Sequence, residues 1–238
     1  MDIKDLLIKG CREYGIELDD NKIDCFLRYM ELLKGWNQKI NLTAITEDEE
    51  IIKKHFIDSV SILQSGVIKE GMTIIDVGTG AGFPGIPLKI VMPSLKIMLL
   101  DSLNKRIIYL NDVIDQLKLK DIETVHARAE ELSHKKEHRG KYDIAVARAV
   151  ANLNKLSEYC IPYVKTDGYF ISMKGPSVND EIEGAKNAIG TLGGRLEKVI
   201  DIKLPGDDME HKLVLVKKYK ATEEKYPRKY AQIEKKPI

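Results

Sequence analysis

Short apolar runs that alternate with helical stretches constrain the fold of this 238-residue chain more than any other feature. These runs lie at residues 72–77, 96–100, 122–126, 142–147 and 169–173. Most are continuously apolar, which is typical of parallel strands that are buried on both faces. Helical stretches separate them, for example at residues 104–117 and 179–189. We therefore predict an α/β fold, with a doubly wound, mostly parallel sheet and right-handed crossovers.

The chain begins with a region whose pattern is helical. Apolar residues recur at helical spacing after Asp19 and Asp20, which are candidate N-caps. Thr46 and Glu49 have the spacing of a capping box and predict the start of a further helix. Between these helices we predict a polar turn over residues 36–43, which contains the only Trp of the chain.

The C-terminal part combines a predicted hairpin with a basic tail. Residues 195–202 and 213–216 predict a hairpin that adds an antiparallel edge strand to the sheet. The last 22 residues, from Lys217, contain eight Lys and Arg against three Glu, so the net charge of +1 divides into +5 here and −4 elsewhere. Such an arm predicts contact with a polyanion, although by charge alone a solvated tail is the simpler explanation. We expect a helical extension, an α/β domain and a basic tail, at residues 1–65, 66–220 and 221–238.

Composition excludes several classes of protein. Hydrophobic residues make up 43% and charged residues 32%, which is a globular rather than a disordered or fibrous composition. No apolar run reaches the roughly 18 to 20 residues that cross a bilayer, so we expect no membrane partner. Cys11, Cys25 and Cys160 share no CxxC spacing, so we expect reduced thiols, no metal site and a cytoplasmic location.

The strongest local signal is a glycine-rich loop between the first strand and the helix that follows it. From Asp76 the sequence has the form D-x-G-x-G-x-G, and Pro84 suits the first turn of the helix. Glycine allows sharp turns and a close approach of the backbone to a ligand. The free N–H groups at a helix start favour an anionic group, and ligands of such sheets bind at the carboxyl edge of the strands.

Two cofactors compete for this loop. Gly80, Gly82 and Gly85 fit the dinucleotide pattern G-x-G-x-x-G, so one hypothesis is that the protein is a NAD-dependent oxidoreductase. Asp76 favours S-adenosylmethionine instead, because its carboxylate attracts the ammonium of that ligand and repels a pyrophosphate. Asp101, at the end of the second strand, accepts ribose hydroxyls from either cofactor. A nucleic-acid-binding module with a vestigial cofactor fold is a third alternative.

These motifs resemble the RsmG (GidB) family of 16S ribosomal RNA guanine-N7 methyltransferases. The matching segments are residues 41–44, 55–59, 76–88, 100–102, 105–106, 128–131, 148–151, 174–175 and 226–229. The stretch GTGAGFPGIPL, followed downstream by ARAE, is far more specific than a general methyltransferase motif. The tail departs from the pattern, since a Gly-x-Pro is expected where residues 231–233 stand. The resemblance implies a Rossmann-like S-adenosylmethionine-dependent methyltransferase sheet.

The resemblance also implies the reaction and part of its site. It implies transfer of a methyl group from S-adenosylmethionine to a guanine N7 of 16S ribosomal RNA, at position 527 in the 530 loop. It places Gly78 and Phe83 against the cofactor and Ala129 and Glu130 at its adenine end, with Arg148 closing the site. By chemistry alone, Phe83 is as readily a core aromatic, Glu130 a helix N-terminal charge and Arg148 a surface ion pair. With our additions, the predicted cofactor set is Asp76, Gly78, Gly80, Phe83, Asp101, Ala129, Glu130 and Arg148.

Guanine N7 carries a lone pair and no proton, so its methylation needs no general base. We therefore assign no catalytic acid or base and expect catalysis by positioning, with Arg148 as a candidate. Basic residues that follow or end strands predict a phosphate-binding rim, although each alone is more simply a solvated charge. The resemblance adds Asn41 and His55 beside the target base. The predicted RNA-binding set is Asn41, His55, Lys105, Arg106, Arg128, Lys174 and Arg228, and the expected partner is 16S ribosomal RNA or the small ribosomal subunit.

Overall fold

The computed structural model describes residues 2–148, 150–176, 178–205 and 210–238. Within these residues one seven-stranded sheet has the order β3-β2-β1-β4-β5-β7-β6. Its strands are β1 Thr73–Val77, β2 Lys96–Asp101, β3 Ile122–His126, β4 Tyr142–Arg148, β5 Val164–Lys174, β6 Gly194–Lys203 and β7 Glu210–Lys218. Strands β1 to β5 pair in parallel, and β7 pairs antiparallel to both β5 and β6. The α/β prediction and the hairpin are confirmed, but the segment 213–216 lies inside the sheet, because β6 forms its outer edge.

Helices cover both faces of this sheet. Their bounds are α1 Ile3–Glu13, α2 Asp20–Ile40, α3 Asp48–Ile51, α4 Asp58–Val60, α5 Gly85–Val91, α6 Asn104–Gln116, α7 Ala129–Leu132, α8 Leu153–Cys160, α9 Asn179–Thr191 and α10 Tyr230–Lys235. A π-helical segment, Ile52–Ile57, joins α3 to α4, and 3-10 turns occur at Ser61–Ser65 and Ile161–Tyr163. Among the described residues, no helix is both long and apolar enough to span a membrane.

The caps and the turn that were predicted for the N-terminal region agree only in part with the structure. Asp19 caps α2, since its carboxylate accepts a bond of 2.8 Å from the Lys22 amide. The predicted turn over residues 36–43 is wrong in its first half, because α2 continues to Ile40 and contains Trp36, whose indole donates to Asp112 at 2.7 Å. The capping box is also wrong, because the N-cap of α3 is Glu47 and makes no side-chain cap bond.

Two hydrophobic cores lie on opposite faces of the sheet. Alternation along β1 sends Ile74 into one core and Ile75 into the other. The first core contains buried residues of α1, α2, α5 and α6 together with the segment 48–60. The helical extension therefore packs on the same core as the helices of the α/β region, and this packing brings Leu42, Thr43 and His55 to the carboxyl edge of the sheet.

The C-terminal tail is folded against the second core. Ile233 of α10 is completely buried there. The Arg139 guanidinium donates to three carbonyls of the tail, at Thr222, Glu223 and Tyr226, over 2.9 to 3.0 Å. The tail is thus fastened to the domain along its length, and the predicted RNA contact of this segment stays a prediction.

Candidate active site

Two adjoining clefts open at the carboxyl edge of the parallel strands. Both are lined by Gly78, Asp101, Ser102 and Val150. We call the first the tail-side cleft, because the ends of β2 and β3, α7 and α10 form its walls. We call the second the helix-side cleft, because the glycine loop and the N-terminal helical region form its walls. The two clefts share these four residues and therefore meet at the glycine loop.

Asp76 supports the glycine loop from behind. Its carboxylate is completely buried, and Oδ2 accepts bonds from the Thr79 hydroxyl at 2.7 Å and the Gly85 amide at 2.9 Å. Its Oδ1 has no partner among the described residues. Burial raises the pKa of Asp76 to about 6, since the charged form is poorly solvated. Asp76 lines neither cleft, and its predicted contact with a ligand ammonium stays a prediction.

Gly78 of the loop lines both clefts, and Gly80 lines the helix-side cleft. Gly78 has φ of +72°, and a Cβ there would lie 2.9 Å from Cγ2 of Val150. Gly80 has φ of +61° and its amide donates to Asp101 Oδ2 at 3.0 Å. Positive φ strains every L side chain, which explains why the loop requires glycine at both positions.

Asp101 lies where the two clefts meet. Only 2% of this residue is exposed. Oδ1 accepts from the Leu103 amide at 2.9 Å, and Oδ2 accepts from Gly80 and also from Arg106 Nη1 at 3.1 Å. The carboxylate therefore joins the glycine loop to α6, and its predicted contact with ribose hydroxyls stays a prediction.

The tail-side cleft has one wall from α7 and another from the tail. Ala129 and Glu130, both predicted at the adenine end, line it, and burial raises the pKa of Glu130. Tyr230 and Glu234 of α10 line the same cleft, and the guanidinium carbon of Arg128 lies 4.8 Å from the Tyr230 ring centroid. Sequence analysis missed both tail residues; their i, i+4 spacing, which puts them on one helix face, was the available signal.

Phe83 and Arg148 line the helix-side cleft and contact each other. The Phe83 ring stacks on His55 with centroids 4.6 Å apart, and the guanidinium carbon of Arg148 lies 4.9 Å from the Phe83 centroid. Arg148 Nη1 donates to Asp58 at 2.7 Å and to the Lys54 carbonyl at 3.1 Å. Phe83 and Arg148 thus lie in the helix-side cleft, whereas Ala129 and Glu130 line the other cleft. The predicted contacts of Phe83 and Arg148 with the cofactor stay predictions.

His55 is held neutral in this cleft. Burial, together with the nearby Arg148 cation, lowers the pKa of His55 to about 4. Its Nε2 lies 2.9 Å from the Thr43 hydroxyl. Asn37, which sequence analysis missed, positions Thr43: its Oδ1 accepts from the Leu42 and Thr43 amides at 2.6 and 2.9 Å. No sequence signal marks Asn37, because its role depends on how the chain turns after α2.

The predicted RNA-binding residues fall into separate groups. His55 and Arg106 line the helix-side cleft, and Arg128 is exposed at the tail-side cleft. Lys105 is exposed on α6, and Asn41 is an exposed residue at the end of α2 that lines neither cleft.

Lys174 and Arg228 have internal partners instead. The Lys174 ammonium, 9% exposed, donates to the Ala151 carbonyl at 2.6 Å and to Glu181 at 2.7 Å. Arg228 donates through its backbone and guanidinium to Glu158, which is 1% exposed. Both side chains therefore hold parts of the fold together, and their predicted RNA contacts find no support in this geometry.

Comparisons with known proteins agree on a family. The model of the family described as "GidB: rRNA small subunit methyltransferase G" matches residues 22–209. A "Ribosomal RNA small subunit methyltransferase G" of Clostridium botulinum (strain Loch Maree / Type A3) is 54% identical over 238 residues, covering 100% of both chains.

Solved structures share the fold at low identity. The chain is similar to a SAM-dependent methyltransferase from Aquifex aeolicus, at 19% identity and a TM-score of 0.52, over 70% of this chain and 92% of that one. It is also similar to M. jannaschii TYW2 in complex with AdoMet, at 16% identity and a TM-score of 0.52, over 68% and 76% of the two chains. The sheet is therefore that of the Rossmann-like methyltransferases.

Proposed function

This chain belongs to the rRNA small subunit methyltransferase G family, and we propose that it transfers a methyl group from S-adenosylmethionine to N7 of a guanine in small-subunit ribosomal RNA. The observation that supports this most is the pair of clefts that meet at Gly78 and Asp101. One cleft suits the donor and the other suits the base that accepts the methyl group. Position 527 in the 530 loop is the target that the family resemblance implies, and we include it in the proposal.

The residues present suit S-adenosylmethionine in the tail-side cleft. Its adenine would lie between Ala129 and the tail helix that carries Tyr230, and its ribose hydroxyls would face Asp101. The cation-bearing methionine end would lie beside the glycine loop, where the buried Asp76 carboxylate has an unpartnered oxygen. When bound, this cofactor supplies a methyl group on a positively charged sulfur.

The chain's own residues would orient the base in the helix-side cleft. Phe83, His55 and Arg148 form one stacked group that lines this cleft and not the tail-side cleft, so we assign it to the purine rather than to the cofactor, against which the resemblance placed Phe83 and Arg148. The N7 lone pair has no proton to lose, so no side chain needs to act as a base. A neutral His55 fits this requirement, since it adds no positive charge. The chief work of the residues is to hold N7 in line with the methyl group.

The NAD alternative is disfavoured by the same loop. A dinucleotide pyrophosphate binds at free N–H groups of a helix start. Here the Gly85 amide at the start of α5 already donates to the Asp76 carboxylate. A second negative group at this position would lie beside a buried carboxylate, which is electrostatically unfavourable.

Nucleoside analysis tests the proposal directly. The purified protein is incubated with S-adenosylmethionine and either 16S RNA or small subunits prepared without this activity, and the digested RNA is examined by mass spectrometry. We expect one new 7-methylguanosine, mapped by fragment sequencing. A different methylated nucleoside, or none with either substrate, would refute the guanine-N7 assignment.

Calorimetry tests the cofactor separately. We expect S-adenosylhomocysteine to bind and NADH to show no heat of binding. Binding of NADH alone would reverse the choice between the two cofactors.

A further inference from the structure

A buried carboxylate links three distant parts of the chain behind the helix-side cleft. Asp58, in α4, is 2% exposed. Its Oδ2 accepts from Arg148 Nη1 at 2.7 Å, at the end of β4, and its Oδ1 accepts from His211 Nδ1 at 2.6 Å, in β7. We infer that Asp58 is a positioning residue for methyl transfer, which holds the Arg148 guanidinium against Phe83 and balances its charge beside the purine. This inference rests on the proposed function.

The geometry supports the positioning role. Only 15% of the Arg148 side chain is exposed, and its guanidinium is bounded by Phe83, His55, the Lys54 carbonyl and Asp58. Of these neighbours, Asp58 is the only carboxylate among the described residues with an ion pair to Arg148. A long arginine side chain has many rotamers, so removing this ion pair frees the guanidinium to leave the Phe83 ring.

The charge argument follows from the reaction itself. Methyl transfer forms an N7–carbon bond and breaks the carbon–sulfur bond, and the electron pair of the broken bond stays on sulfur. Positive charge therefore passes from the sulfonium to the purine ring. A fixed guanidinium beside the ring opposes that transfer, whereas a guanidinium paired with a carboxylate opposes it far less.

Asp58 is ionised as this role requires. Burial by itself raises the pKa of a carboxyl group, but here the bond from His211 and the Arg148 cation hold the pKa of Asp58 below its ordinary value. The Asp58–Arg148 pair therefore carries no net charge near neutral pH; His211, which shares the carboxylate, is charged only when it is protonated.

Apolar residues of the segment that contains Asp58 also dock the N-terminal region on the sheet. Ile51, Ile52, Phe56, Ile57 and Val60 of the same segment are at most 1% exposed and pack into the first core. Apolar burial of this kind stabilises the docked region without the ion pair, and exchanging a whole buried ion pair for apolar residues is often neutral for stability. A role in the site therefore explains a buried charge better than a role in stability.

The test compares Asp58→Asn with Asp143→Asn. Asp143 is a matched control because it also lies in an ion pair, with Lys165 at 2.8 Å, but at the opposite end of β4. Single-turnover methyl transfer to RNA is measured at saturating S-adenosylmethionine. We expect Asp58→Asn to lower the rate by about tenfold or more while the affinity for S-adenosylhomocysteine changes by less than about twofold. The control should change neither quantity.

A double-mutant cycle shows whether Asp58 acts through Arg148. In an Arg148→Leu background, Asp58→Asn should lower the rate by less than about twofold, because the partner is already absent. An equal loss in both backgrounds, or no loss in either, would overturn the inference. If Asp58→Asn does not fold, Asp58→Glu keeps the charge and displaces the carboxylate; a wild-type rate in that variant would also overturn it.

Crystal structures give a readout that needs no activity. We expect the Arg148 guanidinium to move off the Phe83 ring in Asp58→Asn and to stay in place in Asp143→Asn. An unmoved guanidinium would overturn the positioning role. A protein that holds Arg148 through Asp58 but methylates no RNA would instead contradict the proposed function.

Discussion

The two clefts differ in how the chain builds them. Most of the tail-side cleft comes from short contiguous segments at the ends of neighbouring strands, with the glycine loop at their centre. The helix-side cleft combines side chains separated by about 90 residues, such as His55 and Arg148. Short sequence motifs therefore predict most of the tail-side cleft, whereas the helix-side cleft exists only after the helical extension packs on the sheet.

The largest expected effect comes from a side chain at Gly78, which would keep a ligand from approaching the backbone of the loop. Gly78→Ala places a Cβ at φ of +72°, on the wall common to both clefts. We expect the affinity for S-adenosylhomocysteine to fall about 100-fold, which corresponds to about 2.7 kcal/mol, measured by calorimetry.

Gly15→Ala is the matched control, since Gly15 has φ of +74° and no atom near its Cβ position. It should have the same backbone strain and an unchanged affinity. Equal losses in the two variants would mean that strain, rather than ligand approach, explains the effect.

Arg228 separates tail anchoring from RNA contact. Arg228→Ala leaves the buried Glu158 carboxylate without its guanidinium partner, so we expect the free energy of unfolding to fall by about 2 kcal/mol. Urea unfolding measures this change, and limited proteolysis should show earlier cleavage of the tail. Lys229→Ala, at the exposed neighbour, is the control. Unchanged stability of Arg228→Ala together with weaker RNA binding would support the contact expected from the sequence instead.

Tyr230 tests whether the tail belongs to the cofactor cleft. We expect Tyr230→Ala to weaken S-adenosylhomocysteine binding about tenfold, through loss of one aromatic wall. Tyr219 is a close match: it is 46% exposed, against 47% for Tyr230, and its ring has the Arg195 guanidinium carbon 5.0 Å away. Tyr219→Ala should bind normally. If both variants bind like the wild type, α10 is not part of that cleft.

The neutral His55 predicts the smallest effect, which depends on pH. The pKa of His55 falls from 6.5 to about 4 on folding, so the unfolded chain takes up a proton first as the pH decreases. The contribution of His55 to the free energy of unfolding is therefore present above pH 6.5 and is lost as the pH falls from 6.5 towards 4. Between pH 7 and 6 the loss from this group is about 0.7 kcal/mol.

Urea unfolding of the wild type and His55→Gln at both pH values measures that loss. The variant should lose less stability than the wild type over this interval. Equal slopes would show that His55 titrates alike in the folded and unfolded chains.

Much of the fold and the position of the glycine loop could be predicted from the sequence. Continuous apolar runs predicted the parallel strands, and the glycine spacing predicted the loop. Both patterns are informative because they depend on the backbone conformation of a few adjacent residues. The capping box at Thr46 was wrong, because α3 begins one residue later than that pattern requires and its N-cap, Glu47, makes no side-chain cap bond. Lys174 and Arg228 were expected on an RNA-binding rim, but charge alone does not show which carboxylate lies within reach once the chain has folded.

The amino-acid sequence alone therefore determined the α/β class, the glycine loop and the family, since these depend on periodicity and on short motifs. Only the tertiary structure decided the partners of Arg148 and Asp58 and the place of Tyr230 beside Ala129. The physical reason is the distance along the chain between the residues that interact. Backbone conformation is set by neighbours a few residues away, whereas ion pairs and cleft walls depend on packing that joins residues about 90 to 100 positions apart.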